Sequence, residues 1–332
     1  MPDLDKYIVV TGSAGFIGFS LCRELLKRGH KVIGIDNFVP YYSVELKKER
    51  VKLLETYPDF IMVKASLENY NEIEAVFKKY EISRVCNLAA QAGVRHSLSH
   101  PFVYEQTNIA GFLTILECVR HYNIPRLVFA SSSSVYGGNK EIPFSETQRV
   151  DNPISLYAAT KKANELMAHS YSHLYGFQTI GLRFFSVYGP WGRPDMALWL
   201  FTEAILKDKP IKVFNNGDMR RDFTYVDDIV GGIIGALFTE GLEKTEIFNL
   251  GNHKSEDLLR MIELIEEQLG KKAVKEMLPM QPGDVPDSFA QITKARTKLG
   301  YDPKTSINVG IPNFINWYKE QSELTKLIAD TR

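Results

Sequence analysis

A tyrosine and a lysine four residues apart, Tyr157 and Lys161, are the side chains of this sequence whose spacing points most directly to chemistry. At this spacing both lie on one face of a helix. A phenol with a pKa near ~10 is a weak base at neutral pH, but an adjacent ammonium group favours its ionised form. Lys161 can therefore make an acid/base group of Tyr157. The same spacing also arises by accident on helix surfaces, so this pair needs support from elsewhere in the chain.

A run of four serines, Ser131–Ser134, precedes the sequence Val-Tyr-Gly at the end of a predicted strand. In open α/β sheets, ligands bind at the carboxyl ends of the strands, which is where this run lies. A polar loop would have the same composition. The presence of Tyr157 and Lys161 later in the chain favours a functional site over a polar loop for these serines.

Three glycines follow the first predicted strand in the pattern Gly12-x-x-Gly15-x-x-Gly18. Glycine at these positions allows a tight turn, a close approach of the backbone to a pyrophosphate and tight packing of the next helix. The helix that begins with Phe16 and Ile17 then presents free N–H groups and a positive dipole end. The pattern predicts a dinucleotide site.

The end of the second predicted strand indicates which dinucleotide is bound. Asp36 lies about 20 residues after the glycine loop, where a carboxylate accepts hydrogen bonds from ribose hydroxyls and repels a 2′-phosphate. Neither Arg nor Lys occurs in the next several residues. We therefore predict NAD rather than NADP, with a merely solvated carboxylate as the alternative.

The elements that position these residues are short apolar runs that alternate with longer amphipathic stretches. Such runs are typical of buried parallel strands. We predict an α/β fold, a doubly wound parallel Rossmann sheet in an NAD-binding domain over 1–185, with a smaller C-terminal α/β substrate-binding lobe over 186–332. Glu246–Leu250 is apolar enough to rejoin the sheet, so a return of the chain near 222–252 is left open. The predicted strands are Tyr7–Val10, Val32–Ile35, Phe60–Val63, Val85–Leu88, Leu127–Ala130 and Thr179–Phe185.

Composition narrows the classes of partner. Lys+Arg and Asp+Glu number 40 each in 332 residues, and this zero net charge favours a small-molecule ligand over nucleic acid or a membrane surface. Cys22, Cys86 and Cys118 are isolated among apolar neighbours, which predicts buried thiols and no metal site. No apolar run approaches the ~20 residues that span a bilayer, and the first residues lack the features of a secretory signal. We expect a cytoplasmic protein.

Together, the glycine loop, the strand-end serines and Tyr-x-x-x-Lys resemble the extended short-chain dehydrogenase/reductases that act on nucleotide sugars, over nearly the whole chain. This resemblance implies that Tyr157 is the acid/base, that Lys161 also holds the nicotinamide ribose, and that Ser132 binds the reacting hydroxyl. In many relatives an Asp after the third strand binds adenine, but Ser66 stands there, which leaves that contact open. The further cofactor residues implied are Asn37, Ser66, Leu67, Leu88, Ala89, Ala90 and Asn108.

Relatives in this family oxidise the sugar at C4 and then diverge. Dehydratases carry an Asp-Glu pair just before Val-Tyr-Gly, and decarboxylating relatives carry a Glu immediately before the valine, whereas this chain has Ser133 and Ser134. Without a carboxylate there, the 4-keto sugar is expected to turn over and take hydride back on its other face. The resemblance thus implies a 4-epimerase whose NAD is regenerated in every cycle.

The identity of the sugar depends on Arg193, whose guanidinium can present a bidentate fork to a carboxylate. The stretches 41–44, 91–97 and 189–198 resemble the UDP-glucuronate 4-epimerase branch, which implies that Arg193 binds the C6 carboxylate with help from Ser186. Arg95 belongs to the same stretches, but it could equally structure its own loop. The substrate contacts predicted in this way are Arg95, Ser132, Ser133, Ser186, Arg193, Arg221 at the diphosphate, and Asp284 at the uridine ribose.

Three other functions stay open at this stage. The first is a 4-epimerase for UDP-glucose or UDP-N-acetylglucosamine, the second a UDP-glucuronate decarboxylase, and the third a non-catalytic NAD-binding regulator. Intact Ser132, Tyr157 and Lys161 argue against a regulator, since a sensor needs no base. In relatives the helix of Tyr157 and the segment Phe112–Val119 pair across a two-fold axis, so we predict a homodimer.

Overall fold

A computed structural model describes residues 4–281 and 285–330 of the chain. Its strands are β1 Tyr7–Thr11, β2 Lys31–Asp36, β3 Phe60–Lys64, β4 Ile82–Asn87, β5 Arg126–Ser132, β6 Gln178–Phe184, β7 Ser186–Tyr188, β8 Ile211–Phe214, β9 Arg220–Arg221, β10 Phe223–Tyr225, β11 Thr245–Leu250, β12 Glu256–Asp257 and β13 Lys275–Leu278. Its α-helices are α1 Phe16–Lys27, α2 Val44–Leu54, α3 Tyr70–Lys79, α4 Val94–Ser99, α5 Pro101–Tyr104, α6 Gly111–His121, α7 Leu156–Tyr175, α8 Ala197–Leu206, α9 Val226–Phe238, α10 Leu258–Leu269, α11 Thr293–Leu299, α12 Ile307–Glu320 and α13 Ser322–Asp330.

The central sheet has seven parallel strands in the order β11-β6-β5-β4-β1-β2-β3. Alternate residues of β1 enter two different hydrophobic cores, Ile8 and Val10 on one face of the sheet and Val9 on the other. Burial on both faces explains why the strands read as continuous apolar runs. The predicted doubly wound α/β Rossmann class is confirmed.

The strand order reverses between β1 and β4, and this switch point is where ligands bind in open α/β sheets. The glycine loop follows β1, and Asp36, Asn87 and Ser132 end their strands at the same edge. The residues singled out in the sequence therefore share one crevice because the strands run parallel.

Each of the six predicted strands overlaps an observed strand, but their bounds differ. Leu88 and Phe185, predicted as strand ends, lie just beyond β4 and β6. Glu246–Leu250 lies within β11, which extends the sheet by pairing in parallel with β6, Phe248 beside Leu182. Helix α9 packs against α1. The division of the chain at residue 185 stays a prediction. Strand β11 lies after that residue and nevertheless belongs to the central sheet.

The rest of the second half is built from short strand pairs, β7 with β10, β8 with β13 and β9 with β12, together with helices. An aromatic cluster holds these helices together, with Trp199 packed against Phe314, Trp317 and Tyr318 at ring centroid distances of 5.3 to 6.0 Å. Because β7 begins two residues after β6 ends, this part is attached at the carboxyl edge of the sheet. It is thereby placed beside the switch point.

The three cysteines Cys22, Cys86 and Cys118 are buried free thiols, as predicted. Among the residues that the model describes, none of the helices combines the length and the apolar character that crossing a membrane requires.

Candidate active site

The glycine loop between β1 and α1 has no room for a side chain at any of its three glycines. Gly12 has a φ of +70°, in the left-handed region, and a Cβ there would lie 2.8 Å from the backbone nitrogen of Ala89. A Cβ on Gly15 would lie 2.9 Å from the Gly12 carbonyl oxygen, and one on Gly18 would overlap that oxygen. The three glycines leave backbone N–H groups uncovered by their own side chains at the start of α1, where Phe16 is buried, and this cradle fits a diphosphate.

Replacing Gly18 by alanine should remove bound NAD and destabilise the protein, because the new methyl group forces α1 away from the Gly12 turn. Forced overlaps of this kind cost ~1–3 kcal/mol of folding free energy. The NAD content after gel filtration and the urea midpoint of unfolding measure both effects. Gly138→Ala is the matched control, since a Cβ at Gly138 meets no atom within 4 Å. Equal behaviour of the two variants would contradict the prediction.

The predicted adenosine contacts lie together where β2 and β3 end. Both carboxylate oxygens of Asp36 accept backbone N–H groups, one of them from Ala14 in the glycine loop at 3.2 Å. The Nδ2 of Asn37 donates to the Oγ of Ser66 at 3.1 Å, while Leu67 is buried beside them. Asp36 thus fixes the loop, and its contact with the adenosine ribose stays a prediction.

The segment after β4 continues across the glycine loop. The N–H of Ala89 donates to the Oγ1 of Thr11 at 3.1 Å, and Thr11 donates in turn to the Oδ1 of Asn87 at 2.6 Å. Leu88 and Ala90 flank this anchor. The predicted cofactor segment is therefore tied to the end of β1.

Asn108 lies in a π-helical turn, Glu105–Ala110, and is buried. Its Oδ1 accepts the N–H of Gln91 at 2.8 Å, and its Nδ2 donates to the carbonyl of Gln91 and to the Oγ1 of Thr160, both at 3.0 Å. These bonds join the segment after β4 to helix α7. Since both ends of the side chain are engaged within the protein, we assign Asn108 a positioning task, and direct contact with a cofactor stays a prediction.

The structure brings Ser132 and Tyr157 together. Ser132 is the last residue of β5, and Tyr157 lies in the first turn of α7, which begins where the Oγ of Ser155 accepts the N–H of Ala158 at 3.1 Å. Tyr157 is hydrogen-bonded with Ser132. Ser133 follows in a short 3₁₀ turn at the same strand end.

Burial and charge set the titration of this pair. Lys161 is buried with its Nζ 3.0 Å from the carbonyl oxygen of Ala130, and desolvation lowers its pKa to about 8. Burial raises the pKa of Tyr157 above its usual value and outweighs the hydrogen bond with Ser132 and the positive charge of Arg193, both of which lower it. The structure thus adds Arg193, predicted only as a substrate contact, to the groups that favour the phenolate.

A buried ion pair fixes the catalytic helix to the sheet. Glu165, one turn after Lys161, receives Nε and Nη2 of Arg183 at 2.8 and 2.9 Å and the Oγ of Ser131 at 2.7 Å. Burial acts to raise the pKa of Glu165, but the hydrogen bonds and charge of Arg183 outweigh it and hold that pKa below its usual value. The sequence analysis missed this pair because its members lie 18 residues apart on different elements.

Replacing Glu165 by glutamine should destabilise the protein by ~3–5 kcal/mol, because it leaves the Arg183 charge buried without a carboxylate. Urea unfolding measures this change. The control Glu117→Gln breaks a partly exposed pair with Arg120, for which less than ~1 kcal/mol is expected. Equal losses of unfolding free energy in the two variants would contradict the prediction. They would show that the buried Glu165–Arg183 pair contributes no more to stability than the partly exposed pair.

Arg193 presents its guanidinium fork to a carboxylate of the protein, and its predicted contact with the C6 carboxylate of a substrate stays a prediction. Its Nε and Nη2 lie 3.0 and 2.5 Å from the two carboxylate oxygens of Asp195. The guanidinium also lies 5.4 Å from the ring centroid of Tyr41 and 6.0 Å from that of Tyr42. A substrate carboxylate at this position must displace Asp195 or share Arg193 with it.

The predicted diphosphate residue Arg221 lies in β9 and donates from Nη1 to the carbonyl oxygen of Pro286 at 3.2 Å. Its neighbour Asp222, which the sequence analysis did not single out, is fully buried and accepts backbone N–H groups from Asn252 at 2.5 Å and Ala290 at 3.0 Å. Asp222 thus holds together three segments of the second half, next to Arg221.

The remaining predicted substrate residues are more dispersed. Ser186 begins β7, two residues after β6. Arg95 lies on α4 with its guanidinium 5.1 Å from the ring centroid of Phe214. Asp284 lies outside the described residues.

Comparisons with known proteins identify the family. The family model "NAD dependent epimerase/dehydratase family" matches residues 8–251. UDP-glucuronate 4-epimerase 4 of Arabidopsis thaliana is 46% identical over 327 residues, which cover 94% of this chain and 75% of that protein. The UDP-glucuronic acid 4-epimerase of Bacillus cereus, solved with UDP-glucuronic acid and NAD, is 35% identical with a TM-score of 0.89, over 95% of this chain and 99% of that chain. The UDP-glucose 4-epimerase of Thermotoga maritima, solved with UDP-glucose, is 30% identical with a TM-score of 0.86 over the same shares.

The family match spans the glycine loop, the strand-end serine and the Tyr157–Lys161 helix, and both similar structures cover the second half as well. This chain belongs to the NAD dependent epimerase/dehydratase family.

Proposed function

We propose that this chain interconverts UDP-glucuronate and UDP-galacturonate through a transient 4-keto sugar. The observation that carries this proposal is the cluster of Ser132, Tyr157 and Arg193, in which a guanidinium acts on the pKa of the acid/base phenol. The similarity to proteins named UDP-glucuronate 4-epimerase in two organisms supports it.

The cofactor residues fit NAD because a Cβ at Gly12, Gly15 or Gly18 would collide with neighbouring backbone, so only glycine allows this tight turn at the start of α1. The N–H groups at the start of α1 would hold the diphosphate, and Asp36 would face the adenosine ribose. When bound, NAD accepts a hydride from the sugar C4 and returns it. Tight retention is expected, since no external oxidant is consumed.

The chain's own residues handle the proton. Tyr157 as phenolate accepts the proton of the C4 hydroxyl when the hydride leaves, and returns it after the keto sugar has turned. Ser132 holds that hydroxyl in line with Tyr157. Lys161 contributes a buried ammonium one helical turn away, which is retained below a pH of about 8.

The outcome after oxidation depends on what the site lacks at two positions. Ser133 and Ser134 bring no carboxylate to the strand end, so no residue there is suited to eliminate water. The guanidinium fork of Arg193 can bind the carboxylate of a uronate, whereas a neutral sugar has no anionic group for it to bind. Inversion at C4 of an acidic sugar is the result we propose.

Substrate competition tests this function. The protein is incubated with UDP-glucuronate and UDP-glucose in one tube, and the products are resolved by NMR. We expect UDP-galacturonate to form first. Formation of UDP-galactose alone would favour the neutral-sugar epimerase, release of CO2 with UDP-pentose would favour the decarboxylase, and absence of turnover despite bound NAD would favour the regulator.

The outer faces of two neighbouring helices support a homodimer. Leu113 on α6 and Leu166 and Leu174 on α7 are 41%, 60% and 64% exposed, and the two helices pack side by side. A second copy that pairs these faces would bury the three leucines. Light scattering should give the mass of two chains, and Leu166→Glu should give that of one. A monomeric wild-type protein would refute this.

A cytoplasmic location stays a prediction from the sequence.

A further inference from the structure

One arginine outside the proposed chemistry is fully buried between the two halves of the site. Arg50 lies on α2 and is 0% exposed. Its Nη1 donates to the carbonyl oxygen of Ala14 at 2.9 Å and to the phenol oxygen of Tyr42 at 2.7 Å. Its Nη2 donates to the carbonyl oxygens of Trp191 at 2.5 Å and Gly192 at 3.2 Å.

These partners belong to the two loops that the proposed reaction must keep in register. Ala14 lies inside the glycine loop, and Trp191 and Gly192 immediately precede Arg193. One guanidinium therefore bridges segments that are far apart in sequence, 36 residues from Arg50 in one direction and 141 in the other. A planar fork with donors on two nitrogens can bind both loops at once, whereas an ammonium cannot span them in the same way.

The segment that Arg50 holds is strained and needs such support. Trp191 has a φ of +62°, which is unusual for a bulky residue, and the turn closes with a bond from the N–H of Gly192 to the carbonyl of Gly189 at 3.1 Å. The Trp191 ring packs 5.5 Å from Phe19 on α1, the helix that follows the glycine loop. Strained backbone of this kind persists only where surrounding contacts fix it.

The charge of Arg50 has no anionic partner within the described residues. All four of its hydrogen bonds go to neutral oxygens, and its buried Nε has no partner there. An unpaired buried cation is costly unless its hydrogen bonds compensate for the lost hydration. Its place against the glycine loop puts positive charge in the wall of a cradle that fits a diphosphate.

We propose that Arg50 is a positioning residue that couples the cofactor site to the substrate site, by fixing segment 191–193, and with it Arg193, to the glycine loop. The coupling to a uronate rests on the proposed function. The attachment of 191–193 to the glycine loop does not, because it concerns the backbone of the NAD-loaded protein.

Hydrogen exchange separates these two parts. Exchange of the peptide 186–196 is measured by mass spectrometry in the NAD-loaded wild-type protein and in NAD-saturated Arg50→Lys, with helix α6 as the internal reference. We expect exchange in 186–196 to be at least ~10-fold faster in the variant and unchanged in α6, since two charged hydrogen bonds to that loop are lost. Arg28→Lys, the same substitution at a half-exposed arginine, should leave both regions unchanged. If the peptide 186–196 exchanged at the same rate in Arg50→Lys as in the wild-type protein, the proposal would be overturned.

Steady-state kinetics test the coupling. Arg50→Lys should raise the KM for UDP-glucuronate and the NAD concentration for half-saturation, each by ~10-fold or more. In an Arg193→Ala background the same substitution should still weaken NAD but leave the KM for UDP-glucuronate unchanged. Effects on KM that simply multiply in the double variant would overturn the coupling. A protein that turns over no UDP-sugar would reject the proposed function instead, while the exchange comparison still decides the role of Arg50.

A milder variant keeps the test decisive if Arg50→Lys does not fold. Tyr42→Phe removes one hydrogen-bond acceptor of Arg50, and the side chain at position 42 keeps almost the same volume. It should change exchange in 186–196 in the same direction by roughly threefold, as expected for the loss of one bond. No change in Tyr42→Phe would then count against the proposal.

Discussion

Replacing Tyr157 by phenylalanine should lower kcat for UDP-glucuronate by ~10²- to 10⁴-fold, the contribution typical of a positioned acid/base group. The substitution removes only the phenol oxygen, which is hydrogen-bonded with Ser132 at the end of β5. The fold and the NAD content should therefore be retained. Product formation followed by NMR, the NAD released on denaturation and the melting temperature measure the three quantities.

Tyr171→Phe is the matched control, since this tyrosine lies on the same helix and its hydroxyl donates to Glu117 at 2.7 Å, away from the strand ends. It should keep nearly wild-type kcat. If Tyr157→Phe retained more than about a tenth of the activity, the loss would lie below the range for a general base, and another group would have to take the C4 proton.

The pH profile adds an independent check on the same residue. The hydrogen bond with Ser132 lowers the pKa of Tyr157, so Ser132→Ala should raise that pKa. Because the ionised phenol is the base, activity rises as pH passes through its pKa, and the rising limb of kcat/KM should move to higher pH in the variant. The pKa of about 8 for Lys161 places loss of its charge on the alkaline side. If the rising limb did not move in Ser132→Ala, Ser132 would not contribute to the pKa of Tyr157.

The parts of the site that the sequence predicts are those set by local pattern. The glycine spacing, the Tyr-x-x-x-Lys repeat and the strand-end positions of Asp36 and Ser132 all follow from the periods of a strand or a helix. Parallel strands then bring their ends to one edge whatever the loops between them do. Local rules therefore sufficed to place these residues in one crevice.

The groups that the sequence did not reveal depend on contacts between distant segments. Glu165 reads as an ordinary helix residue, yet it receives Arg183 from β6 and becomes the fixed point of the catalytic helix. Arg50 reads as one more cation on the charged helix α2, and only the fold carries the glycine loop and the 191–192 turn to it. Asp195 had a local signal, two residues after Arg193, but spacing alone does not say which carboxylate occupies the fork.

The proposed function assigns the recognition of the uronate to Arg193, so removal of this arginine should change the products as well as the affinity. Oxidation at C4 turns a uronate into a β-keto acid, which loses CO2 when its C5–C6 bond aligns with the keto π system. A fork that holds the carboxylate out of that alignment suppresses the loss. Arg193→Ala should therefore raise the KM for UDP-glucuronate by ~10- to 100-fold, the range for a lost charged hydrogen bond, and release CO2 with UDP-pentose. Trapped CO2 and NMR of the nucleotide sugars measure both effects.

Two further variants separate charge from orientation at this position. Arg193→Lys keeps a point charge but loses the planar fork, so it should recover part of the affinity while still releasing CO2. Asp195→Asn weakens the internal competitor for the fork, so the KM for UDP-glucuronate should fall or stay level and no CO2 should appear. Arg193 also lowers the pKa of Tyr157, and profiles over pH are needed to distinguish a slower base from a misplaced substrate. If Arg193→Ala bound UDP-glucuronate normally and gave no UDP-pentose at any pH, the fork would not be the uronate contact, and an acidic substrate would lose its structural support.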